Sequence, residues 1–121
     1  MELKRVVVTG LGALTPLGND VSQTWKGLVE GVSGAGPITH FDASKFKTHF
    51  ACELKDFDVT RYIDRKEARK MDPYAQYALI ASEEAVKDSG LDLEKEDLSR
   101  IGVIWGSGIG GRLTFHHGVC Q

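Results

Sequence analysis

The sequence has few cysteines, no excess of either charge and no long apolar run, and each shortage excludes a class of protein. The two cysteines, Cys52 and Cys120, have neither metal-ligand nor redox spacing, so we expect reduced thiols in a cytoplasmic protein. The net charge of -2 gives no reason to expect nucleic acid or an anionic membrane as a partner. No apolar run is long enough to span a membrane, and the valines at 6–8 are too few for a signal peptide.

What the sequence does contain is the composition of one globular domain, with 121 residues of which 41% are hydrophobic and 26% charged. The most informative stretch is IGVIWGSGIGG, at positions 101–111. Its first part is a short apolar run typical of a central strand buried on both faces. Four glycines follow, where the backbone must turn or let another group approach closely. Strand ends of this kind commonly provide the binding sites of α/β proteins.

The glycines at 106–111 fit the spacing G-x-G-x-x-G, which cradles phosphate in dinucleotide-binding domains. The fit is incomplete, because that motif belongs to a first strand-to-helix turn and is followed about twenty residues later by an acidic residue. A glycine turn that serves only close packing explains the same residues equally well. Residues 3–9 predict a second buried strand before Gly10 and Gly12, but Thr15 and Pro16 then depart from the dinucleotide motif.

A first helix of about ten residues is predicted after Asp20, which forms a capping box with Gln23. Gly31 ends this helix. Its spacing predicts one apolar face, made of Val21, Trp25, Leu28 and Val29. Residues 31–58 have no sustained period, so we expect a long excursion with short extended pieces, docked by its phenylalanines.

A second helix is predicted over residues 73–89, between the N-cap Asp72 and the terminator Gly90. Alanines dominate its apolar arc, which predicts tight packing against a sheet. Ile80 falls on the opposite, polar face. It is interpreted there as a lone surface residue or, alternatively, as a contact for another chain.

The segment RYIDRKEARK, at positions 61–70, has the strongest charge pattern in the chain. If it is helical, Arg65 faces Arg69 and Lys66 faces Lys70, a like-charge spacing that costs roughly a few tenths of a kcal/mol per pair. A solvated face neutralised by neighbouring acidic residues is the simpler interpretation. An anionic partner is the alternative, because it would compensate the repulsion.

Three segments together resemble a known family. They are RVVVTGLGALTPLGNDVSQTWKGLVEGVSG, RKEARKMDPYAQYALIASEEAVKDSG and RIGVIWGSGIGG, in this order. They are similar to the N-terminal part of the β-ketoacyl-acyl carrier protein synthases, the elongating condensing enzymes of type II fatty acid synthesis, and most of all to the synthase II branch. The resemblance covers residues 1–111, whereas 112–121 depart from the family's acidic helix. It implies a thiolase-like layered α/β/α/β/α fold, of which residues 1–121 would form part of the N-terminal half.

The resemblance also implies a reaction, the decarboxylative condensation of an acyl thioester with malonyl-acyl carrier protein in a cytoplasmic homodimer without a dissociable cofactor. In the family a cysteine thiolate takes up the acyl group and two histidines support decarboxylation. None of these positions is matched by a cysteine or histidine of this chain, namely Cys52, Cys120, His40, His49, His116 and His117. We therefore expect the chain alone to be inactive. No metal site is predicted, because the adjacent His116 and His117 could not both reach a metal with Cys120 without strain.

Two groups of residues correspond to functional positions of the family. Lys66, Arg69 and Lys70 match its docking patch for the acidic helix of acyl carrier protein, which favours the anionic partner over the solvated face. Gly108, Ile109 and Gly110 match the loop that borders the acyl pocket near the dimer interface. In that loop the bulky residue moves when long chains enter.

Two other functions stay open from the sequence alone. The first is an NAD(P)-binding, Rossmann-type oxidoreductase domain, which the glycine spacing suggests. The second is a non-catalytic module that binds an acyl carrier protein through the basic residues. Saturable nicotinamide binding would support the first, and carrier-protein binding without condensation would support the second.

Overall fold

A computed structural model describes residues 3–119, with the exception of the side chains of Leu113 and His117. The described residues form two compact units. One consists of residues 13–57, and the other consists of residues 3–12 together with 58–119. The helices are α1 (Val21–Val29), α2 (Arg65–Ala68), α3 (Pro73–Ser89) and α4 (Arg112–Val119), with 3-10 turns at Val59–Arg61 and Leu98–Arg100. The strands are β1 (Gly36–Pro37) and β2 (Phe50–Ala51).

In the unit of residues 13–57, α1 begins as the sequence predicts. The Asp20 carboxylate accepts a hydrogen bond from the Gln23 amide at 2.7 Å, and Gly31 follows the helix with φ +66°, a left-handed conformation that glycine adopts without strain. The predicted apolar face is nevertheless largely open, because the exposed fractions are 67% for Trp25 and 59% for Leu28. The buried residue of α1 is Gly27, which packs against Leu17.

The excursion after α1 contains a short antiparallel strand pair. Gly36 of β1 lies opposite Ala51 of β2, and the Ile38 amide donates to the His49 carbonyl at 3.0 Å. Glu53 closes the pair by accepting from the Thr39 hydroxyl at 2.6 Å, which lowers the pKa of the Glu53 carboxyl. Of the four phenylalanines expected to dock this segment, Phe41, Phe46 and Phe50 remain exposed, at 54%, 59% and 65%, whereas Phe57 is half-buried. Phe41 and Phe46 contact each other edge to face at 5.5 Å.

In the other unit, α3 confirms the predicted helix over 73–89, and Gly90 follows it with φ +67°. The prediction for Ile80 is wrong, since this side chain is 5% exposed. The Gln76 side chain, one turn earlier, donates to the Ala68 carbonyl of α2 at 2.8 Å. The face assigned to solvent is thus closed at Ile80, which is buried together with Ala81 of the same helix and Ala68 of α2.

The two buried strands predicted at 3–9 and 101–106 are not present as paired strands within residues 3–119. Val6 is 89% exposed and Ile104 is 99% exposed. A strand exists only where a neighbour binds its N–H and C=O groups, and apolar sequence alone does not supply that neighbour. Among the described helices, none is long and apolar enough to cross a membrane.

Candidate carrier-protein surface and glycine loop

The basic residues predicted for docking lie together on α2 and the turn that follows it. Lys66, Arg69 and Lys70, which we call the basic patch, are all exposed. Asp64 begins the helix by accepting from the Lys66 amide at 2.8 Å, and the Arg69 amide donates to the Arg65 carbonyl at 3.3 Å. The helical interpretation of this segment is therefore correct for one turn.

The three cations of the basic patch differ in their partners. Lys70 Nζ lies 2.6 Å from Glu67 Oε1 in an ion pair whose side chains are 68% and 56% exposed. Within residues 3–119, Lys66 and Arg69 have no carboxylate within ion-pair distance. Glu67 reduces the net positive charge of the patch. Because an exposed ion pair contributes little to stability, it does not hold the Lys70 side chain in one position. Lys66 and Arg69 are the cations that remain available to an anionic partner.

The helix that carries the basic patch is held in position, because hydrogen bonds join α2 to α3. The Gln76 side chain donates to the carbonyl oxygens of Ala68 and Met71, at 2.8 and 3.1 Å, and so satisfies the end of α2. Ala68 is 4% exposed. Arg65, which the docking set omitted, borders the same shallow hollow as Arg69. Arg65 precedes Arg69 by four residues, and this helical spacing could have added Arg65 to the predicted docking residues.

The glycine loop of residues 106–111 has an open tip and a packed end. Around Gly106 and Gly108 there is no atom within 4 Å of the position that a Cβ would occupy, and Ile109 is 76% exposed. At Gly110 an added Cβ would lie 2.8 Å from Cζ of Tyr74, closer than real Cβ contacts allow. Gly111 then takes φ +74°, directly before α4.

The first glycine loop, at residues 10–12, is filled by α3. A Cβ on Gly10 or Gly12 would collide with helix backbone, at the Ala85 carbonyl and the Ala81 carbonyl respectively. The Leu11 amide donates to Asp88 Oδ2 at 2.9 Å, a contact that sequence reasoning missed. No space for a pyrophosphate remains beside these glycines. They serve close packing against α3.

Residues for metal or redox chemistry do not gather in the described part of the chain. Residues 3–119 contain no group of three or more His, Cys, Asp or Glu side chains that could hold a metal ion. Cys52 and His116 are exposed. Cys120, the third member of the tail group considered for a metal, lies outside the described residues.

Comparison with known proteins identifies the class. Residues 3–119 match the family model described as "Beta-ketoacyl synthase, N-terminal domain". The chain belongs to the β-ketoacyl synthase family. It is 53% identical over 112 residues to 3-oxoacyl-[acyl-carrier-protein] synthase 2 of Staphylococcus aureus (strain COL), a match that covers 93% of this chain and 27% of the relative. It is also 53% identical, over 111 residues, to the enzyme of the same name from Vibrio harveyi, with 92% and 27% covered.

Solved structures agree with the family. The ishigamide ketosynthase/chain length factor superposes with a TM-score of 0.66 at 40% identity, covering 73% of this chain and 22% of that chain. A ketosynthase in complex with its type II polyketide acyl-carrier protein superposes with a TM-score of 0.56 at 32% identity, covering 75% and 23%. The predicted family and the thiolase-like α/β fold class are confirmed. The chain spans about a quarter, 27%, of the length of the curated relatives it matches.

Proposed function

We propose that the protein containing this sequence is a fatty-acid elongating 3-oxoacyl-[acyl-carrier-protein] synthase. The acyl group would move from its carrier to a cysteine thiolate, malonyl-acyl carrier protein would lose CO₂, and the resulting carbanion would displace the thiolate to form the 3-oxoacyl product. The basic patch would receive the carrier protein, and Gly108, Ile109 and Gly110 would border the acyl pocket. We expect the catalytic cysteine and histidines to lie outside these 121 residues, which alone would not catalyse condensation.

The observation that supports docking is the pair of unneutralised cations on a fixed helix. Lys66 and Arg69 are exposed and lack a carboxylate partner within residues 3–119, while Gln76 holds their helix in place. An acidic helix placed here would gain attraction without first breaking an ion pair. The solved ketosynthase that is similar to this chain is itself bound to an acyl-carrier protein. A cytoplasmic location and a homodimer complete the proposal.

Titration of fluorescently labelled acyl carrier protein against the complete polypeptide tests the patch. Lys66→Gln and Arg69→Gln should each raise Kd about three- to tenfold, because each removes an available cation at the interface. Lys70→Gln should have a smaller effect, since Glu67 already pairs with that ammonium. Salt should weaken wild-type binding, because exposed charges are screened beyond about 10 Å at 0.1 M.

Lys87→Gln is the matched control, because it makes the same charge change on α3, outside the patch. Equal Kd values for the Lys66, Arg69 and Lys87 variants would refute the patch assignment. Condensation is measured separately, as release of labelled CO₂ from malonyl-acyl carrier protein in the presence of an acyl primer. Carrier binding without CO₂ release would favour the alternative of a non-catalytic module that binds an acyl carrier protein through the basic patch.

A further inference from the structure

Asp72, at the start of α3, uses its side chain differently from the other aspartates that begin helices. It occupies the N-cap position, yet its carboxylate accepts no hydrogen bond from the amides of α3. Oδ1 instead accepts from the Thr114 hydroxyl of α4 at 2.5 Å. Within residues 3–119 four other N-cap aspartates do bond to amides of their own helices, namely Asp20, Asp58, Asp64 and Asp97.

The Asp72 carboxylate lies beside Gly111, at the end of the glycine loop. Oδ2 of Asp72 lies 3.2 Å from the position that a Cβ on Gly111 would occupy, and Tyr74, two residues later on α3, lies against Gly110. The loop therefore meets the first turn of α3 at two successive residues, and Thr114 joins the same turn from α4. We call Asp72, Tyr74 and Thr114 the loop anchor.

The tip of the loop has no comparable contact. Gly108 is in open space and Ile109 is 76% exposed, whereas Gly110 and Gly111 are held. A loop that is free at its tip and fixed at one end can move only about the fixed end. The contacts that hold Gly110 and Gly111 therefore limit how far the Ile109 side chain can be displaced.

We propose that Asp72 is a positioning residue that fixes the glycine loop through Thr114 and thereby limits the displacement of Ile109. It touches no reacting group. The consequence for catalysis rests on the proposed function: where Ile109 borders the acyl pocket, the anchor restricts the entry of long acyl chains. Loosening the anchor would shift acyl-chain preference towards longer substrates.

Tryptic cleavage after Arg112, followed by mass spectrometry in the complete polypeptide, tests the anchor without reference to activity. Arg112 lies between the two anchored positions Gly111 and Thr114, so its cleavage requires local opening. Asp72→Ala and Thr114→Val should each speed this cleavage about threefold, a modest effect because the bond lies at the protein surface, where water can replace the lost partner. Cleavage after Arg100, outside the anchor, serves as the internal reference.

Thr114→Ser is the conservative control, because it keeps the hydroxyl and should leave cleavage after Arg112 at the wild-type rate. If Thr114→Val behaves like Thr114→Ser, or if Asp72→Ala opens α3 and not the loop, the anchor is refuted. The second variant keeps the test decisive even if Asp72→Ala fails to fold, since Thr114 does not belong to α3.

Acyl-chain preference is the second measurement. The ratio of kcat/KM for a long-chain over a short-chain acyl carrier substrate should rise about threefold or more in Thr114→Val and remain at the wild-type value in Thr114→Ser. Faster cleavage after Arg112 with an unchanged ratio would refute the link to chain length. If the wild-type protein does not condense at all, the proposed function fails, while the cleavage experiment still decides whether the anchor exists.

Discussion

The two glycine loops have nearly the same sequence pattern and opposite surroundings. Both follow an apolar, β-branched or aromatic run, and both contain glycines at alternate positions. At Gly12 an added methyl group would collide with the backbone of α3, whereas at Gly108 it would meet nothing within 4 Å. One loop needs glycine because a helix occupies the space of a side chain. The other has glycine at a tip where space is not limiting.

This difference separates two reasons for glycine that sequence alone cannot distinguish. A glycine required by close packing belongs to the stability of the fold, because any side chain must displace the neighbouring backbone. A glycine in open space contributes freedom of the main chain, which agrees with the proposed movement of Ile109. The loop at 10–12 is thus part of the scaffold, and the loop at 106–111 is the candidate for function.

Among the substitutions that test this comparison, we expect Gly12→Ala to lower the free energy of unfolding most. Its Cβ would press on the Ala81 carbonyl and the Ala85 amide, neither of which can move without bending α3. We expect a loss of about 3 kcal/mol in the free energy of unfolding, measured by urea denaturation of the complete polypeptide. Overpacking against backbone is costly because no side-chain rotation relieves it.

Gly108→Ala is the control for Gly12→Ala, since it makes the same chemical change with φ in the ordinary range at both positions. The expected change in the free energy of unfolding is within about 0.5 kcal/mol. A similar loss for both variants would contradict the assignment of one loop to packing and the other to open space.

The sequence predicts the features that depend on neighbouring residues. The bounds of α3 and the left-handed Gly90 follow from a proline, an N-cap position and a glycine within one segment. Features that depend on distant residues were missed or misassigned. The run at 101–106 lacks a pairing partner among the described residues, and Ile80, which helical periodicity assigns to the polar face, is buried.

The candidate site shows the same division. The basic patch was recognisable from charge spacing and resemblance, and its docking role stays a prediction. Asp72 was correctly placed at the N-cap of α3, but its bond to Thr114 joins residues 42 positions apart and has no local signal. Asp88 was missed for the same reason, since its partner is the Leu11 amide, 77 positions away.

An intermediate effect is expected from Gly110→Ala, at the packed end of the second loop. The new Cβ would lie within 2.9 Å of the Tyr74 ring, at Cζ and Cε1, but this side chain is 41% exposed and can turn aside. We expect a loss of about 1 kcal/mol by urea denaturation. In a Tyr74→Ala background the same substitution should be nearly neutral, so a double-mutant cycle measures the contact directly. Additive losses would show that Tyr74 does not hold the loop.

The smallest effect concerns the polar contact that fastens the first loop to α3. Asp88→Ala removes the acceptor of the Leu11 amide, a bond of 2.9 Å at the protein surface. Water replaces an exposed acceptor at little cost, so the expected loss is about 0.5 kcal/mol in the free energy of unfolding. The Leu11 amide proton should also shift upfield in the NMR spectrum as it leaves the carboxylate. Glu83→Ala, on the same helix, should leave that resonance in place, and an identical spectrum for the two variants would show that packing of Gly10 and Gly12 alone holds the loop on α3.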